Sequence, residues 1–394
     1  MWTEPMPTQF AAECLALYRR TLLDDVIPFW LRHTIDPTDG AINNCIDDAG
    51  NVLSRERYLW SQGRALWTFS ALYNRVEKRP EWLDVAHGIA AYLKAHGRDD
   101  QGRWMYRLDS EGNVLDRDTS IYVDGFVANG LGEYFRAAQD EAAARLARET
   151  FECTRARLAI PGSYGIAPYV LPEGTKTLGI PMIFSFFLHN LGRALGDREM
   201  MDTAHAYAHE LLADFYIESA NTFRELVTLD GRAVDSPQGR VCVPGHVIEA
   251  MWFLISIFED TGESDLIPRC CEMIRRHLEL GWDDEFGGIR LAVDVEGREP
   301  VAWPKADYKP WWVQVEALVA TAYAYFHTRD EGFIEWHRRV RDYAFSHYPV
   351  PTGEWTQWLD RTGAKGESAA LPVKDPFHLP RGLMHLMEVW GRVN

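Results

Sequence analysis

Apolar residues along this chain follow two alternating periods. In long stretches they recur at i, i+3, i+4 and i+7, as over Trp82–His96 and Ile121–Arg136, which is the spacing of one helix face. Between such stretches lie short segments where apolar and polar positions alternate residue by residue and turn residues close each end. These are 39–50, 102–112, 287–297 and 353–363, and more weakly 164–171 and 222–231. Period-two alternation bounded by Gly, Asp and Asn predicts β-hairpins. With Gly40, Gly102, Gly165, Arg224, Gly288 and Gly353 as markers, the segment returns about every 60 to 65 residues along the whole chain. The repeating unit is helix, hairpin, helix.

The helix after each hairpin is the more apolar and aromatic of its pair: Tyr58–Tyr73, Tyr122–Tyr134, Pro181–Leu191, His246–Phe258, Trp311–Phe326 and Phe377–Trp390. Its partner, such as Asp330–His347, keeps a charged face. A helix apolar most of the way round is buried on most sides. Six buried and six half-exposed helices are satisfied together by an all-α (α/α)6 barrel, six helical hairpins in two concentric rings with short β-hairpins at one end. Closing the array covers both of its apolar ends. The expected domain is a single one over residues 1–394, and closure brings the N-termini of the inner helices around one axial pocket.

Composition narrows what such a pocket takes. The chain carries 41 Lys and Arg against 58 Asp and Glu, a formal charge of -17, with 15 Trp, 16 Tyr and 18 Phe. The aromatic content supplies a large core and excludes disorder. An acidic surface without a basic run repels phosphate backbones and anionic membrane faces, so neither nucleic acid nor membrane is the expected partner. No stretch reaches the ~18 uncharged apolar residues of a membrane span, and Met1–Phe10 lacks a basic start before an apolar run. The expected location is the cytoplasm. Cys14, Cys45, Cys153, Cys242, Cys270 and Cys271 show no zinc-type spacing and read as reduced core thiols, so no metal site is expected. No Rossmann fingerprint or phosphate-binding loop is visible, and no cofactor is expected.

The inner starts carry Trp60, Gln62 and Arg64; Tyr122, Asp124 and Asn129; Met182, Phe186 and His189; His246, Glu249 and Trp252; Lys309, Trp311, Trp312 and Glu316; His378 and Arg381. Aromatic walls with a few polar hooks suit a sugar, whose C–H faces pack on rings while its hydroxyls need paired donors and acceptors. His246 and Glu249, at i and i+3, share a helix face, so the carboxylate can bond one ring nitrogen and fix the tautomer of a general base. The rival reading is a surface His/Glu pair, but Val243-Pro244-Gly245 turns the pair into an aromatic helix. His378 sits between prolines in Asp375-Pro-Phe-His-Leu-Pro-Arg381, where a backbone-satisfied core histidine is the alternative. For Arg64, opening an apolar helix, the alternative is a structural salt bridge. Asp124, Glu133 and Glu316 read as partners for such cations, and His189 as a ligand contact or a core histidine. His87, His205, His209, His277, His337 and His347 lie on outer helices and are expected to be solvated. Two bases on opposite sides of a pocket with a cation between them suit proton removal alpha to a carbonyl, stabilisation of the enediolate, and return of a proton from the other face: an epimerisation.

Tyr58–Trp67 (YLWSQGRALW), Gly245–Leu254 (GHVIEAMWFL), Lys309–Leu318 (KPWWVQVEAL), Gly353–Asp360 and Phe377–Arg381, taken in this order, resemble the N-acylglucosamine 2-epimerase family over essentially the whole chain. The resemblance implies an (α/α)6 barrel, usually a homodimer, that interconverts sugars at C2 after ring opening. It implies acid/base roles for His246 and His378, an orienting carboxylate at Glu249 and a cation near O1 and O5 at Arg64. Lys309, Trp312 and Glu316 fall in the matching tryptophan-rich segment. With Tyr122, Asp124, Met182 and His189 they make up the expected substrate contacts.

Family members divide by substrate. Ile180-Pro-Met182 resembles the N-acylglucosamine branch, and His189 aligns with a histidine of the cellobiose branch. Ala369–Asp375 lacks the glycine pair of the loop associated with nucleotide activation. The expected substrate is therefore an N-acyl-D-glucosamine/N-acyl-D-mannosamine pair; the alternatives are mannose-type aldose–ketose isomerisation and cellobiose 2-epimerisation. A further alternative is a glycoside hydrolase of the same fold, with Asp124 and Glu249 or Glu316 as paired carboxylates.

Overall fold

The computed structural model describes residues 7–367 and 373–393. It is predominantly helical. In chain order the helices are α1 (Pro7–Arg20), α2 (Ile27–His33), α3 (Leu59–Ala71), α4 (Pro80–His96), α5 (Tyr122–Ala138), α6 (Glu141–Leu158) and α7 (Gly179–Leu195). There follow α8 (Arg198–Asp214), α9 (Pro244–Thr261), α10 (Ile267–Gly281), α11 (Trp311–Thr328), α12 (Glu331–His347) and α13 (His378–Gly391). Wider π-helical turns continue α1 over Thr21–Val26 and α3 over Leu72–Val76. The chain forms two compact units: Met1–Pro28, Leu211–Ala369 and His378–Asn394 make the first, Phe29–Glu210 and Ala370–Phe377 the second.

Each unit repeats one packing scheme. In the first, α9 packs on α11 and α11 on α13, while α10, α12 and α1 back them from outside. In the second, α3 packs on α5 and α5 on α7, backed by α4 and α6. The apolar helices are buried nearly all round: Trp252, Phe253, Leu254 and Ile255 in α9 have no exposed surface. Their partners bury one face only, as α10 does with Ile267, Cys270, Cys271, Ile274 and Leu278. Local chemistry sets several helix ends. Asp140 and Asp330 cap α6 and α12 by accepting backbone N–H bonds, and Gly196 and Gly262 end α7 and α9 in the left-handed conformation.

Short strands tie consecutive repeats together. Residues 57–58, just before α3, pair with 107–108 of the next hairpin; 241–242, before α9, pair with 293–294; 309–310, before α11, pair with 358–359. Each of these three helix starts is thereby clamped to the following hairpin. The hairpins are shorter than the alternation suggests, with strands of two or three residues, and around 164–171 there are only isolated bridges. Two expectations for the outer helices are corrected. His277 and His337 are fully buried, not solvated, because they face inward and are satisfied there. His277 bonds the Met273 carbonyl and Thr222, and His337 bonds Tyr18 and Thr321. All six cysteines are free thiols. Among the described residues no helix is long and apolar enough to cross a membrane.

Candidate active site

In the first unit three inner helix starts bring imidazoles, carboxylates and indoles together. Pro244 stands in the first turn of α9, where its missing N–H costs nothing. Gly245 follows, and a Cβ there would lie 2.6 Å from Val313 and 2.9 Å from the Trp312 ring. The bare backbone lets the indole close onto the helix start, and His246 stacks on it at 5.2 Å between centroids and 27° between planes. The same indole neighbours His378 at 5.7 Å and 37°, with Trp311 edge-on to His378 at 6.1 Å. One tryptophan thus stands beside both imidazoles.

Each imidazole bonds through Nδ1 to its own carboxylate. For His246 the partner is Glu225, at 3.0 Å, whose other oxygen accepts the Val243 N–H at 3.3 Å. For His378 it is Glu316, at 2.7 Å. Glu316 also accepts from Trp252 Nε1 at 3.0 Å and from Arg381 at 2.7 Å, and Arg381 donates to Glu249 as well. Arg381, Glu249 and Glu316 are at most 4% exposed, a buried cluster sustained by mutual charge and hydrogen bonds. The ligand atoms of Glu249, Glu316 and His378 lie within 4.8 Å of one another, as a metal would require. Arg381 already donates to the same carboxylate oxygens and stands where that cation would sit. At His246 desolvation disfavours the imidazolium, but the charge and hydrogen bond of Glu225, aided by Glu249, outweigh it and hold the pKa above the usual histidine value.

Several expectations need correcting. Glu249 does not orient His246; the guanidinium of Arg381 takes its carboxylate, and Glu225 takes its place. Glu316 is fully buried and carries His378, so it is not a substrate contact. Lys309 is also fully buried, donating to the Arg361 carbonyl and lying 3.5 Å from Asp283. Desolvation, with repulsion from Arg290 and Arg361, lowers its pKa despite Asp283, which marks an internal brace.

The second unit holds the remaining candidates. Arg64 pairs with Asp375 at 3.1 Å and lies over the rings of Phe126 (4.0 Å), Trp60 (4.6 Å) and Phe377 (5.0 Å). Asp124, expected to touch substrate, is 1% exposed and faces Thr154 and Arg157 inside the helix packing. Burial pushes its carboxyl up to about 7 against the pull of Arg157. Tyr122 is partly exposed at the start of α5, with its hydroxyl against Gly179, where a Cβ would come within 2.4 Å. Met182 and His189 are each 3% exposed on α7. Of the Ala369–Asp375 loop, residues 369–372 lie outside the described residues; Lys374 pairs with Asp48 at 3.1 Å.

The sequence reading missed Glu225 and named Arg381 at the last helix start without giving it a role. Arg381 carried a local signal, one helical turn from His378. Glu225 carried none, lying 21 residues from His246 across two short strands and the loop between them.

A chain with this repeat of helix pairs and this pair of carboxylate-held histidines falls in the class of sugar-acting helical-repeat proteins, and residues 40–380 match the family N-acylglucosamine 2-epimerase (GlcNAc 2-epimerase). The chain belongs to that family. It is 26% identical to the N-acylglucosamine 2-epimerase of Bos taurus over 92% of this chain and 87% of that one. It is 24% identical to the cellobiose 2-epimerase of Ruminococcus albus over 94% and 97%. Among solved structures, a sugar epimerase from a ruminal bacterium superposes with a TM-score of 0.83 at 22% identity, covering 95% of this chain and 98% of that one.

Proposed function

We propose that this protein is a carbohydrate isomerase that epimerises sugars at C2, with N-acyl-D-glucosamine and N-acyl-D-mannosamine as the substrate pair. The observation that carries the reading is a pair of imidazoles beside one indole, each held at Nδ1 so that Nε2 is left to meet a substrate. In the open-chain sugar the C2 proton is acidified by the C1 carbonyl. One histidine takes it at Nε2, the electrons pass to O1 as an enolate (an enediolate where C2 carries a hydroxyl), and the other histidine returns a proton to C2 from the opposite face. Trp312 offers a ring for the sugar's C–H face. No cofactor is required by this proton balance. Arg381 and Glu249 act through Glu316, keeping its carboxylate aimed at His378. The same reading takes the six helix pairs as an (α/α)6 barrel and one catalytic domain over 1–394, working as a cytoplasmic homodimer.

A hydrolase would need two carboxylates free to flank a glycosidic bond. Glu249 and Glu316 are spent on Arg381 and His378, and Asp124 is packed against Thr154 and Arg157. Cellobiose 2-epimerisation remains the second reading, favoured by the relative from Ruminococcus albus.

The test is proton NMR of N-acetylglucosamine, N-acetylmannosamine, mannose, glucose and cellobiose incubated with the protein in D2O. The expected result is deuterium at C2 and appearance of the C2 epimer, lost in His246→Ala and His378→Ala. Release of new reducing ends without exchange at C2 would overturn the reading.

A further inference from the structure

We infer that Glu225, not the helix-mate Glu249, is the positioning residue that sets the tautomer and proton affinity of His246, independently of the cluster that serves His378. The inference rests on the proposed two-histidine reaction and adds a part the sequence motifs do not contain. Glu225 lies between the strand Thr222–Phe223 and the strand Leu226–Thr228, is 5% exposed, and its backbone N–H is tied to the Val241 carbonyl at 2.9 Å. Its side chain therefore has little freedom. One oxygen is spent on the Val243 N–H at the very start of α9, and the other faces His246 Nδ1.

The consequences follow from hydrogen-bond chemistry. A carboxylate accepts only, so Nδ1 of His246 must carry the proton and Nε2 is the nitrogen left for chemistry. A carboxylate buried beside one imidazole also favours the imidazolium, which raises the affinity of that ring for a second proton. The groups facing His246 are few. Glu249 lies on its own helix, Glu225 on the packed strand segment, and His378 of α13 neighbours the same uncharged Trp312 indole. Glu249 is compensated by Arg381; among the described residues Glu225 bonds no cationic side chain other than His246. The dyad and the Arg381 cluster can thus be perturbed separately.

The experiment follows the Cε1–H resonances of the histidines in 13C-labelled protein as a function of pH, with the two signals identified by their loss in His246→Asn and His378→Asn. In Glu225→Gln, which keeps an acceptor but removes the charge, the His246 midpoint is expected to move to lower pH while that of His378 stays in place. In Glu249→Gln the His246 shift should be the smaller. With the exchanging sugar as substrate, Glu225→Gln should lower kcat roughly 10-fold at neutral pH and displace one limb of the kcat/KM profile, leaving KM little changed. Glu225→Asp, with the charge kept, should restore the His246 midpoint and repeats the test if Glu225→Gln does not fold. An unmoved His246 midpoint in Glu225→Gln, or a larger shift in Glu249→Gln, would overturn the assignment. The titration needs no substrate, so absence of deuterium exchange would remove the proposed reaction while leaving the Glu225–His246 assignment to stand or fall by itself.

Discussion

At the scale of single residues, a buried guanidinium decides how the carboxylates are shared. His246 and Glu249 lie on one helix face, and isolated helices do pair side chains at that spacing for ~0.2–0.5 kcal/mol. Arg381 offers Glu249 a charged donor in a region closed to water, which is worth far more, and the local pair yields. Two predictions test the cluster. Arg381→Met would leave Glu249 and Glu316 buried without their cation and should cost about 3–5 kcal/mol, read from urea unfolding; a loss below 1 kcal/mol would contradict the arrangement. Glu316→Gln keeps Arg381 paired with Glu249, so it should unfold near the wild-type midpoint yet lose at least about tenfold in kcat, because His378 loses its carboxylate.

Helices meet where side chains permit, and α3 and α5 meet through glycine. A Cβ on Gly63 would stand 2.8 Å from the backbone of Phe126 and Val127, and one on Gly130 would stand 2.5 Å from the Gly63 carbonyl oxygen. Backbone cannot step aside as a flexible side chain can. Gly63→Ala should therefore push the two helices apart and destabilise by about 2 kcal/mol or more, although alanine is the better helix former. Equal or increased stability in that variant would show that the contact is looser than described. The residue lies one position before Arg64, so activity is expected to fall with stability. Both glycines are legible in the sequence, but a glycine in a helical pattern says only that something comes close. Which element comes close depends on which helices pack, and no local pattern carries that.

For the molecule as a whole, buried ionisable groups set the response to pH. Burial pulls the His277 and His337 pKa values down to about 4 and about 3, against 6.5 when exposed. Between those limits the unfolded chain binds protons that the folded one refuses, so stability is lost as pH falls below about 6.5. Asp124 acts in the opposite sense, keeping its proton in the fold up to about 7 when the unfolded group ionises near 3.8, so its contribution is lost as pH rises through that interval. Two histidines outweigh one carboxyl; Tm should drop from pH 6.5 to 4.5, and His337→Gln should flatten the slope. An unchanged slope in that variant would remove His337 as a cause. Those histidines were read as solvated because outer helices are charged, yet the helical period alone cannot say which way a lone histidine faces. The period did determine the helices, their alternation of buried and half-buried faces, and the position of His246, Trp312, Glu316 and His378 in the first turns of apolar helices, since amphipathic spacing is written residue by residue. Tertiary structure alone decided which carboxylate serves which imidazole, that Lys309 and Asp124 are internal braces, and that Glu225 belongs to the site. Hydrogen bonds and ion pairs are settled by distance in space and by exclusion of water, and residues 21 or 62 positions apart acquire those only when the chain has packed.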